Sequence, residues 1–366
     1  MSQSVLKKLH RWIGLALFMV LFLQCLTGSL LLFEDELEPI FLDVQVKHRS
    51  EDTTRLLSLD ELAHRIVKQR GAEEVTRIYP PMSPNSPARV RVYSRHDPED
   101  EIERFVDPSS GRVLGERPHK DIGLTRASII PTIKGLHTKL LAGDIGEIVL
   151  GVVAILWLLC GALGIILSLP RRRSGWKWPR GWRITRLRSS YQLHRGGGLW
   201  LSGAAIVFSA SAIILVFEDW LFIEPSVMPA TQVGHSIGFD AAATAARSKL
   251  PAKGRDYQLE SIRIESDESR YRADFRHNPD NGIWHRPEEQ FYIDASNGDL
   301  LGRKGWLAEN GLNHVKNLAL PLHTGAMLGA PGRIAALIAT MLLAVQIIAG
   351  IWLWLRKRVR QARRQY

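Results

Sequence analysis

The sequence predicts an integral membrane α-helical protein with four transmembrane helices, arranged as a parallel two-fold internal repeat with two outward-facing α+β domains. Three observations predict this fold class: four long apolar runs, a strong segregation of Lys and Arg, and motifs that recur along the chain. Periodicity and turn residues then predict the elements of each outer domain.

Four apolar runs are long enough to cross a membrane, although the mean hydropathy of the whole chain is only -0.06. A helix needs about 20 residues to span a hydrocarbon core of about 30 Å. The first run is expected to be a retained helix rather than a secretory signal, because it is too long and leads directly into three acidic residues. The runs are Ile13–Phe33, Ile145–Leu169, Leu199–Phe217 and Ile334–Leu355.

The charge distribution gives the chain a predicted orientation. Segments 1–11, 170–198 and 356–366 contain 18 of the 48 Lys and Arg residues and no Asp or Glu. Basic segments beside membrane spans favour the cytoplasmic side, so the two long loops are expected to face outward. Topology and anionic lipid therefore explain the basic pI of about 9.8, and nucleic-acid binding is not expected.

The two halves of the chain carry matching motifs at the starts of their entry helices, in their outer segments and before their exit helices. Because each half contains two spans, both halves have the same orientation, which makes the repeat parallel. The aligned segments are 9–19 with 193–203, 31–35 with 215–219, 105–111 with 292–298, and 136–138 with 322–324.

Each outer segment is predicted to fold as one helix on a four-stranded antiparallel sheet. In the first, a cap signal at Ser58 and Asp60 precedes helical periodicity over Leu59–Gln69, and in the second the helix is predicted over Ala241–Leu250. Apolar runs bounded by Pro, Asp and Gly predict the strands. These are Val75–Tyr79, Ala88–Tyr93, Ile102–Val106, Val113–Leu114, Gln258–Ile264, Tyr271–Phe275, Gln290–Ile293 and Leu300–Leu301.

These elements divide the chain into eight predicted segments, which comprise the spans, the cytoplasmic parts and the outer parts. They are the cytoplasmic N-terminus and first span (1–33), the first outer domain (34–130), a short outer segment with the second span (131–169), the basic cytoplasmic loop (170–198), the third span (199–217), the second outer domain (218–320), a short outer segment with the fourth span (321–355) and the cytoplasmic tail (356–366).

The repeat selects four of the 12 histidines. His10 and His194 are equivalent and lie at the cytoplasmic ends of the first and third spans, while His137 and His323 are equivalent and precede the second and fourth spans on the outer side. A single histidine at a membrane interface is commonly an amphipathic side chain at the headgroups. A symmetric pair at each face, however, is what bis-imidazole ligation of a b-type haem requires, with neutral imidazoles as iron ligands.

Glycines and cations near these histidines are consistent with haem. Gly14 and Gly198 follow the cytoplasmic pair by one helical turn and leave room for a flat macrocycle, although membrane glycines also serve close helix packing. Arg11 and Arg195 are candidates to bind haem propionates, although the positive-inside rule also accounts for them. Further candidates are Gly164 and Gly350 at similar depth, Lys134, Lys139, Lys316 and Arg333 as outer propionate partners, and His119 and His314 as rival ligands.

Motifs of soluble enzymes and of covalent haem attachment are absent from the sequence. It contains no GxGxxG, Walker loop or HExxH, and no CxxCH. Cys25 and Cys160 lie within spans without a CxxC pattern and are predicted to be small buried side chains rather than redox or metal groups. No catalytic side chain is therefore predicted.

Taken together, the motifs resemble those of the PepSY-associated transmembrane proteins, also called iron-regulated membrane proteins. The resemblance rests on the Leu-His-Arg start of the entry helices, the D-x-x-x-G turn in each outer domain, the Leu-His-Thr before each exit helix and the basic ends of those helices. It covers nearly the whole chain. It implies periplasmic PepSY-like domains and, in the branch of FoxB-type ferric siderophore reductases, b-type haems that pass electrons across the inner membrane.

Carried onto this sequence, the resemblance implies two haems b. His10 and His194 would hold an inner haem, and His137 and His323 an outer haem. One departure is the Gly-Gly pair at 196–197, which replaces Trp-Ile in the first repeat, so the third span is expected to begin late or to kink there.

The leading hypothesis is a haem-dependent reductase of the bacterial inner membrane, with both termini cytoplasmic, that reduces a periplasmic ferric siderophore and releases Fe(II). Hard oxygen ligands hold ferric iron tightly and ferrous iron much less so. The expected partners are membrane lipid, the ferric siderophore and an unidentified electron donor. Two alternatives stay open: a non-enzymatic PepSY protein that binds a peptide, protease or receptor, and a dihaem carrier that exchanges electrons with quinone.

Overall fold

The chain forms two compact units, each assembled from discontinuous segments. The helical unit comprises Met1–Phe33, Ile133–Leu221 and Ala319–Tyr366, and the sheet unit comprises Glu34–Thr132 and Phe222–Leu318. Most of the predicted basic loop 170–198, and the rival ligand His119, lie outside the described residues. The computed structural model describes residues 2–42, 55–70, 73–82, 86–94, 97–118, 122–168, 191, 193–222, 227–230, 236–250, 257–265, 269–277, 289–305 and 311–363.

The elements follow one another in the same order in each half of the chain. The helices are α1 (Gln3–Leu31), α2 (Glu34–Leu42), α3 (Leu59–Arg70), α4 (Ile129–Lys139), α5 (Gly143–Ser168), α6 (Gly198–Val216), α7 (Glu218–Leu221), α8 (Phe239–Ser248), α9 (Leu312–Thr324) and α10 (Gly329–Ala362). The strands are β1 (Glu73–Tyr79), β2 (Ala88–Ser94), β3 (Asp97–Val106), β4 (Val113–Pro118), β5 (Tyr257–Glu265), β6 (Arg270–His277), β7 (Glu289–Asp294) and β8 (Leu300–Gly305). A π-helical turn, Leu193–Gly197, leads into α6, and a 3₁₀ turn, Ala326–Leu328, leads into α10.

Four helices are long and apolar enough to cross a membrane, and they correspond to the four predicted runs: α1, α5, α6 with its π turn, and α10 with its 3₁₀ turn. In the most apolar stretch of each helix, only 22% to 28% of the residues are buried inside the protein, so the others are partly or fully exposed and available to lipid. The irregularity expected at residues 196–197 is the π-helical turn, a feature that often marks a functional site.

The four membrane helices pack as a ring. Helix α5 packs against α1 and α6, and α10 packs against the same two helices, so α1 and α6 face each other across the bundle. Small residues in the core let the helices approach closely where lipid supplies no hydrophobic driving force. The core residues are Cys25, Ala205, Phe208, Ala336, Leu343 and Ala344.

The strands of the sheet unit form one antiparallel sheet of eight, in the order β4-β3-β2-β1-β5-β6-β7-β8. Each half supplies four consecutive strands, as predicted. The prediction of two separate sheets, one in 34–130 and one in 218–320, is wrong, because the strands of both segments belong to one sheet. Strand β1 pairs with β5 through Arg77–Arg263 and Ile78–Ile262. This pairing joins two strands whose unpaired N–H and C=O groups would otherwise form exposed edges.

Helices α3 and α8 begin and end within two residues of their predicted bounds. The predicted cap signal before α3 is confirmed: Ser58 Oγ accepts from the Glu61 N–H at 3.2 Å, and the Glu61 carboxylate accepts from the Ser58 N–H at 3.0 Å. This reciprocal pair is a capping box. Both helices contribute to the apolar core of the sheet unit, which includes Ile66, Ile78, Val90, Ala242, Ile262 and Phe275.

A buried ion pair also crosses the join between the two halves. Arg77 of β1 donates to Ser261 Oγ at 2.7 Å and to Asp274 Oδ2 at 2.9 Å. Asp274 is only 3% exposed. Its charge is tolerated because two guanidinium groups, those of Arg77 and Arg272, and the Ser261 hydroxyl donate to it.

The N-termini of α3 and α8 cap each other. The Asp240 carboxylate accepts from the backbone N–H of Leu59 at 3.0 Å and of Asp60 at 2.9 Å. In return, the Asp60 carboxylate accepts from the N–H of Phe239 at 2.7 Å and of Asp240 at 3.1 Å. Each carboxylate thus satisfies two otherwise unpaired donors of the opposite helix and lies at the positive end of its dipole.

Replacing Asp240 with Ala is expected to loosen the start of α3, the helix of the other half. Loss of a helix cap costs about 1 kcal/mol, so amide hydrogen exchange measured by mass spectrometry should accelerate at Leu59 and Asp60. Asp60→Ala should have the converse effect on Phe239 and Asp240. If Asp240→Ala accelerated exchange in α8 alone, the reciprocal capping would be wrong.

Candidate functional site

The structure brings together both of the predicted histidine pairs. In the first pair, His10 of α1 and His194 of the π turn have ring centroids 6.2 Å apart and planes inclined at 57°. In the second pair, His137 of α4 and His323 of α9 have centroids 6.3 Å apart and planes inclined at 58°. Two sites built from different helices thus have nearly the same geometry.

This spacing fits one metal ion between the two imidazoles of each pair. A metal–imidazole bond is about 2.0–2.1 Å long and a ring centroid lies about 1.1 Å behind its nitrogen, so two imidazoles in line across one ion have centroids about 6.3 Å apart. A closed zinc site takes four protein ligands, whereas haem iron takes its remaining four ligands from the porphyrin. In the part of the chain that the structure describes, no group of three or more His, Cys, Asp or Glu could hold a metal ion. Two imidazoles are the number of protein ligands that bis-imidazole ligation of haem iron needs, so the donor set fits haem.

The rings of the first pair are held by backbone carbonyls of the neighbouring helices. His10 Nδ1 lies 3.0 Å from the carbonyl oxygen of Cys160 on α5, and His194 Nδ1 lies 3.2 Å from that of Gln346 on α10. A carbonyl oxygen can only accept, so these contacts favour the tautomer with the proton on Nδ1 and the lone pair on Nε2, although the donor Gln346 Nε2 also lies 3.2 Å from His194 Nδ1. In return, the side chains of Cys160 and Gln346 donate to the backbone carbonyls of His10 and His194.

The rings of the second pair are held by hydroxyls. Thr27 Oγ1 lies 2.9 Å from His137 Nδ1, and Ser211 Oγ lies 2.9 Å from His323 Nδ1. Each hydroxyl donates its proton to the carbonyl four residues earlier, at 2.9 Å in α1 and 2.6 Å in α6, so it accepts from Nδ1–H and leaves the lone pair on Nε2. Burial lowers the pKa of His137 to about 4 and also lowers the pKa of His323, which favours the neutral form of both rings.

Sharp turns follow the short helices that contain His137 and His323 and connect them to the next membrane helices. After α4, Leu140, Leu141 and Gly143 all have positive φ, at 51°, 56° and 60°. After α9, the chain turns at Gly325 and Gly329, with φ of 73° and 64°. Positive φ costs a non-glycine residue about 1 kcal/mol or more, which is why glycine suits the second turn. In both halves the histidine lies in the last turn of a short helix, just before the chain reverses.

The two pairs lie close to opposite ends of the bundle. His10 and Thr27, which contacts the second pair, are seventeen residues apart on α1, and the same interval separates His194 from Ser211. At about 1.5 Å per residue this is about 25 Å, close to the thickness of a hydrocarbon core, about 30 Å.

Three glycines lie against histidine rings and leave room for them. A side chain at any of these positions would press on Cε1 of the ring. The distance from an added Cβ to Cε1 would be 2.9 Å for Gly28 against His137, 3.0 Å for Gly350 against His194, and 3.3 Å for Gly164 against His10.

Gly14 and Gly198, which were predicted to leave room for a macrocycle, lie against the residues that hold the first pair. A Cβ on Gly198 would lie 2.6 Å from Gln346 Nε2, and one on Gly14 would lie 3.9 Å from Cys160 Sγ. Gly198 thus serves close helix approach, whereas a Cβ on Gly14 would make only an ordinary van der Waals contact. A contact of either glycine with haem stays a prediction.

The two arginines beside the first pair differ in their surroundings. Arg11 Nε is buried, and none of the described residues accepts a hydrogen bond from it. Arg195 donates from Nη2 to the carbonyl oxygen of Ser168 at 3.2 Å, at the end of α5. Arg11 therefore has a buried donor available for an anionic group such as a propionate.

Two of the cations considered for the second pair have protein partners. Lys139 pairs with Glu147 at 2.8 Å and with Asp144 at 3.3 Å. Arg333 donates to the carbonyl oxygen of Leu32 at the end of α1. Their predicted contact with propionates stays a prediction.

Sequence reasoning missed the residues that orient the rings. Thr27 and Ser211 occupy equivalent positions at the offset that relates His10 to His194, so the repeat contains a signal that could have identified them. Cys160 and Gln346 are equivalent too, but their side chains can differ because each residue contacts its histidine ring through the backbone carbonyl oxygen. Cys160 is buried, as predicted, but its thiol also lies 3.6 Å from the carbonyl oxygen of His10.

Comparison with known families gives one match of nearly full length. A family model described as the PepSY-associated TM region matches residues 7–364. The matched range includes both histidine pairs and all eight strands. No curated protein matches the chain.

Gly28→Ala and Gly350→Ala are each expected to lower the free energy of unfolding, because the added Cβ would displace a histidine ring. Overpacking costs about 1–3 kcal/mol, whereas Gly→Ala in an open helix position gains up to about 1 kcal/mol. Gly161→Ala and Gly203→Ala, where a Cβ would meet nothing within 4 Å, are matched controls. Thermal unfolding of the detergent-purified protein measures the difference. Equal melting temperatures for all four variants would contradict the close packing of these rings.

Proposed function

The chain belongs to the PepSY-associated transmembrane family, and on that premise we propose that it is a haem-dependent oxidoreductase that carries electrons across the bacterial inner membrane to a periplasmic ferric siderophore, releasing Fe(II). One observation carries the proposal: two histidine pairs, near opposite ends of a four-helix bundle, have the same spacing, and that spacing suits bis-imidazole ligation.

In the proposed protein each half of the chain contributes one histidine to each of two haems b. The first pair binds one haem and the second pair the other, through Nε2 in each case because Nδ1 carries the proton. A haem iron with two imidazole ligands supplies one-electron redox chemistry. Arg11 offers its buried Nε–H to a propionate at the first pair.

The interior of the bundle suits electron transfer between the two pairs. The core residues at levels between the pairs are apolar or small, and they include Cys25, Ala205 and Phe208. Such a core excludes water and ions. Phe208 also packs edge-on against His323, with ring centroids 5.7 Å apart.

The proposed orientation follows the three basic segments, which lie on the cytoplasmic side by the positive-inside rule. The first pair then receives electrons from a cytoplasmic donor, and the second pair delivers them outward. In this orientation the segments of the sheet unit are the PepSY-like, periplasmic part of the protein. Anionic lipid on the inner leaflet attracts the same basic segments.

Iron chemistry and the family resemblance support a ferric siderophore as the acceptor. One-electron reduction weakens the hold of hard oxygen ligands on the iron and so promotes its release. A non-enzymatic PepSY protein predicts instead a colourless preparation, and a quinone-linked carrier predicts electron transfer to quinone in preference to the siderophore.

The purified protein is expected to contain two haems b per chain, because it has two ligand pairs. His10→Ala should remove one haem, His137→Ala the other, and the double variant both, as measured by the pyridine haemochrome spectrum and the haem-to-protein ratio. His64→Ala, at an exposed position of α3, is the control and should keep both haems. A colourless wild-type protein, or haem content that survives the double substitution, would rule out the ligand assignment.

Vesicles that contain the protein and an impermeant internal reductant are expected to reduce a ferric siderophore added outside. An external chromogenic chelator specific for Fe(II) measures the rate. His10→Ala and His137→Ala should each lose nearly all of this rate, because either substitution interrupts the path, and His64→Ala should retain it. If vesicles without protein were equally active, or if quinone were reduced while the ferric siderophore was not, the proposed reaction would be wrong.

A further inference from the structure

The two histidine pairs differ in the groups that accept their Nδ1 protons. In the first pair both acceptors are backbone carbonyls, contributed by α5 and α10. In the second pair the hydroxyls of Thr27 and Ser211 lie 2.9 Å from the two Nδ1 atoms, and His323 has the backbone carbonyl of Phe208 as a further acceptor. A carbonyl is present whatever the side chain, whereas the hydroxyls depend on the identity of two residues.

We propose that Thr27 and Ser211 are positioning residues of the second haem centre: they hold His137 and His323 with Nε2 available to iron, and they set the reduction potential of that centre alone. The inference rests on the proposed function, because it requires haem at the second pair.

Each hydroxyl can act towards its histidine ring only as a hydrogen-bond acceptor. Its one proton is donated to the preceding turn of its own helix, so only its lone pairs are available to the histidine ring. The hydroxyl therefore stabilises the tautomer with Nδ1–H and disfavours the tautomer that would protonate Nε2. Within a bilayer, water does not readily replace a lost acceptor, so the ring depends on this contact.

The same contact acts on the iron through its ligand. An acceptor on Nδ1–H raises the basicity of the imidazole, and a more basic axial ligand favours ferric over ferrous iron. Removing the hydroxyl should therefore raise the reduction potential of the second centre. The first centre lies about 25 Å away along α1 and has its own acceptors, so its potential should not change.

Comparison of the two halves indicates that the hydroxyl, rather than the whole side chain, positions the histidine ring. The two positions are equivalent and hold different residues, Thr and Ser, yet both place an oxygen 2.9 Å from Nδ1. Ser209, two residues earlier on α6, is a useful contrast. It is fully buried and donates to the carbonyl oxygen of Ala205 at 2.6 Å, in the same manner as Ser211, but its recorded partners are carbonyls of its own helix.

The test is a spectroelectrochemical titration of the purified holoprotein, comparing wild type with the Thr27→Val and Ser211→Ala double variant. The redox wave that disappears in His137→Ala identifies the second centre. That wave is expected to shift to higher potential in the double variant, and less in each single variant, while the other wave stays in place. Transfer of haem from the second centre to an added haem-binding acceptor should also become easier, by about 10–100-fold in affinity.

Three controls separate positioning from general packing. Thr27→Ser and Ser211→Thr keep a hydroxyl and should retain the wild-type potentials, and Ser209→Ala should retain them as well. The inference would be overturned if the reduction potential of the second centre did not change in the double variant, or if it changed equally in Ser209→Ala. Either result would leave the proposed function standing. If the double variant does not fold, the Thr27→Val single variant decides by the same criterion, because His323 keeps the Phe208 carbonyl as an acceptor whereas His137 has, among the described residues, only the Thr27 hydroxyl. A wild-type protein without haem would overturn both.

Discussion

Each imidazole N–H buried in the helical unit needs an acceptor from the protein itself, because a bilayer offers none. This constraint explains how all four rings are placed. Two donate to carbonyl oxygens of the helices beside them, and two donate to hydroxyls of α1 and α6. The common result is a ring with its proton on Nδ1 and its lone pair on Nε2, which is the form that binds a metal ion.

The close approach of helices in the bundle is explained by the same need for acceptors of the imidazole N–H groups. A ring that must reach the backbone or a hydroxyl of a neighbouring helix needs that helix to come close, and glycines at the contact make this possible. Gly164 and Gly350 occupy equivalent positions, and each lies against a ring of the first pair. Because α5 and α10 separate α1 from α6, the two helices that flank the first pair are also the helices that hold its rings.

The sheet unit solves a related problem for its backbone. Four strands from each half would leave open edges, and two helices would leave unpaired N–H groups at their starts. Pairing of β1 with β5 removes two of the edges, and the carboxylates of Asp60 and Asp240 satisfy each other's helix. In each case the group that one half lacks is supplied by the other half.

Local pattern was enough to predict the four spans, all eight strands, the two helices on the sheet and the four histidines, because hydropathy, alternation and repeated motifs are properties of short stretches. The sequence by itself thus determined these elements and the candidate ligands, but not α4 and α9, the short helices that carry His137 and His323. Only the tertiary structure decided that the two sheets are one, that Thr27 and Ser211 touch rings of the pairs, and that Cys160 acts through its carbonyl. Each of these contacts joins residues more than 100 positions apart. A hydrogen bond of this kind depends on where two distant backbones meet, and no periodicity within one stretch records that meeting.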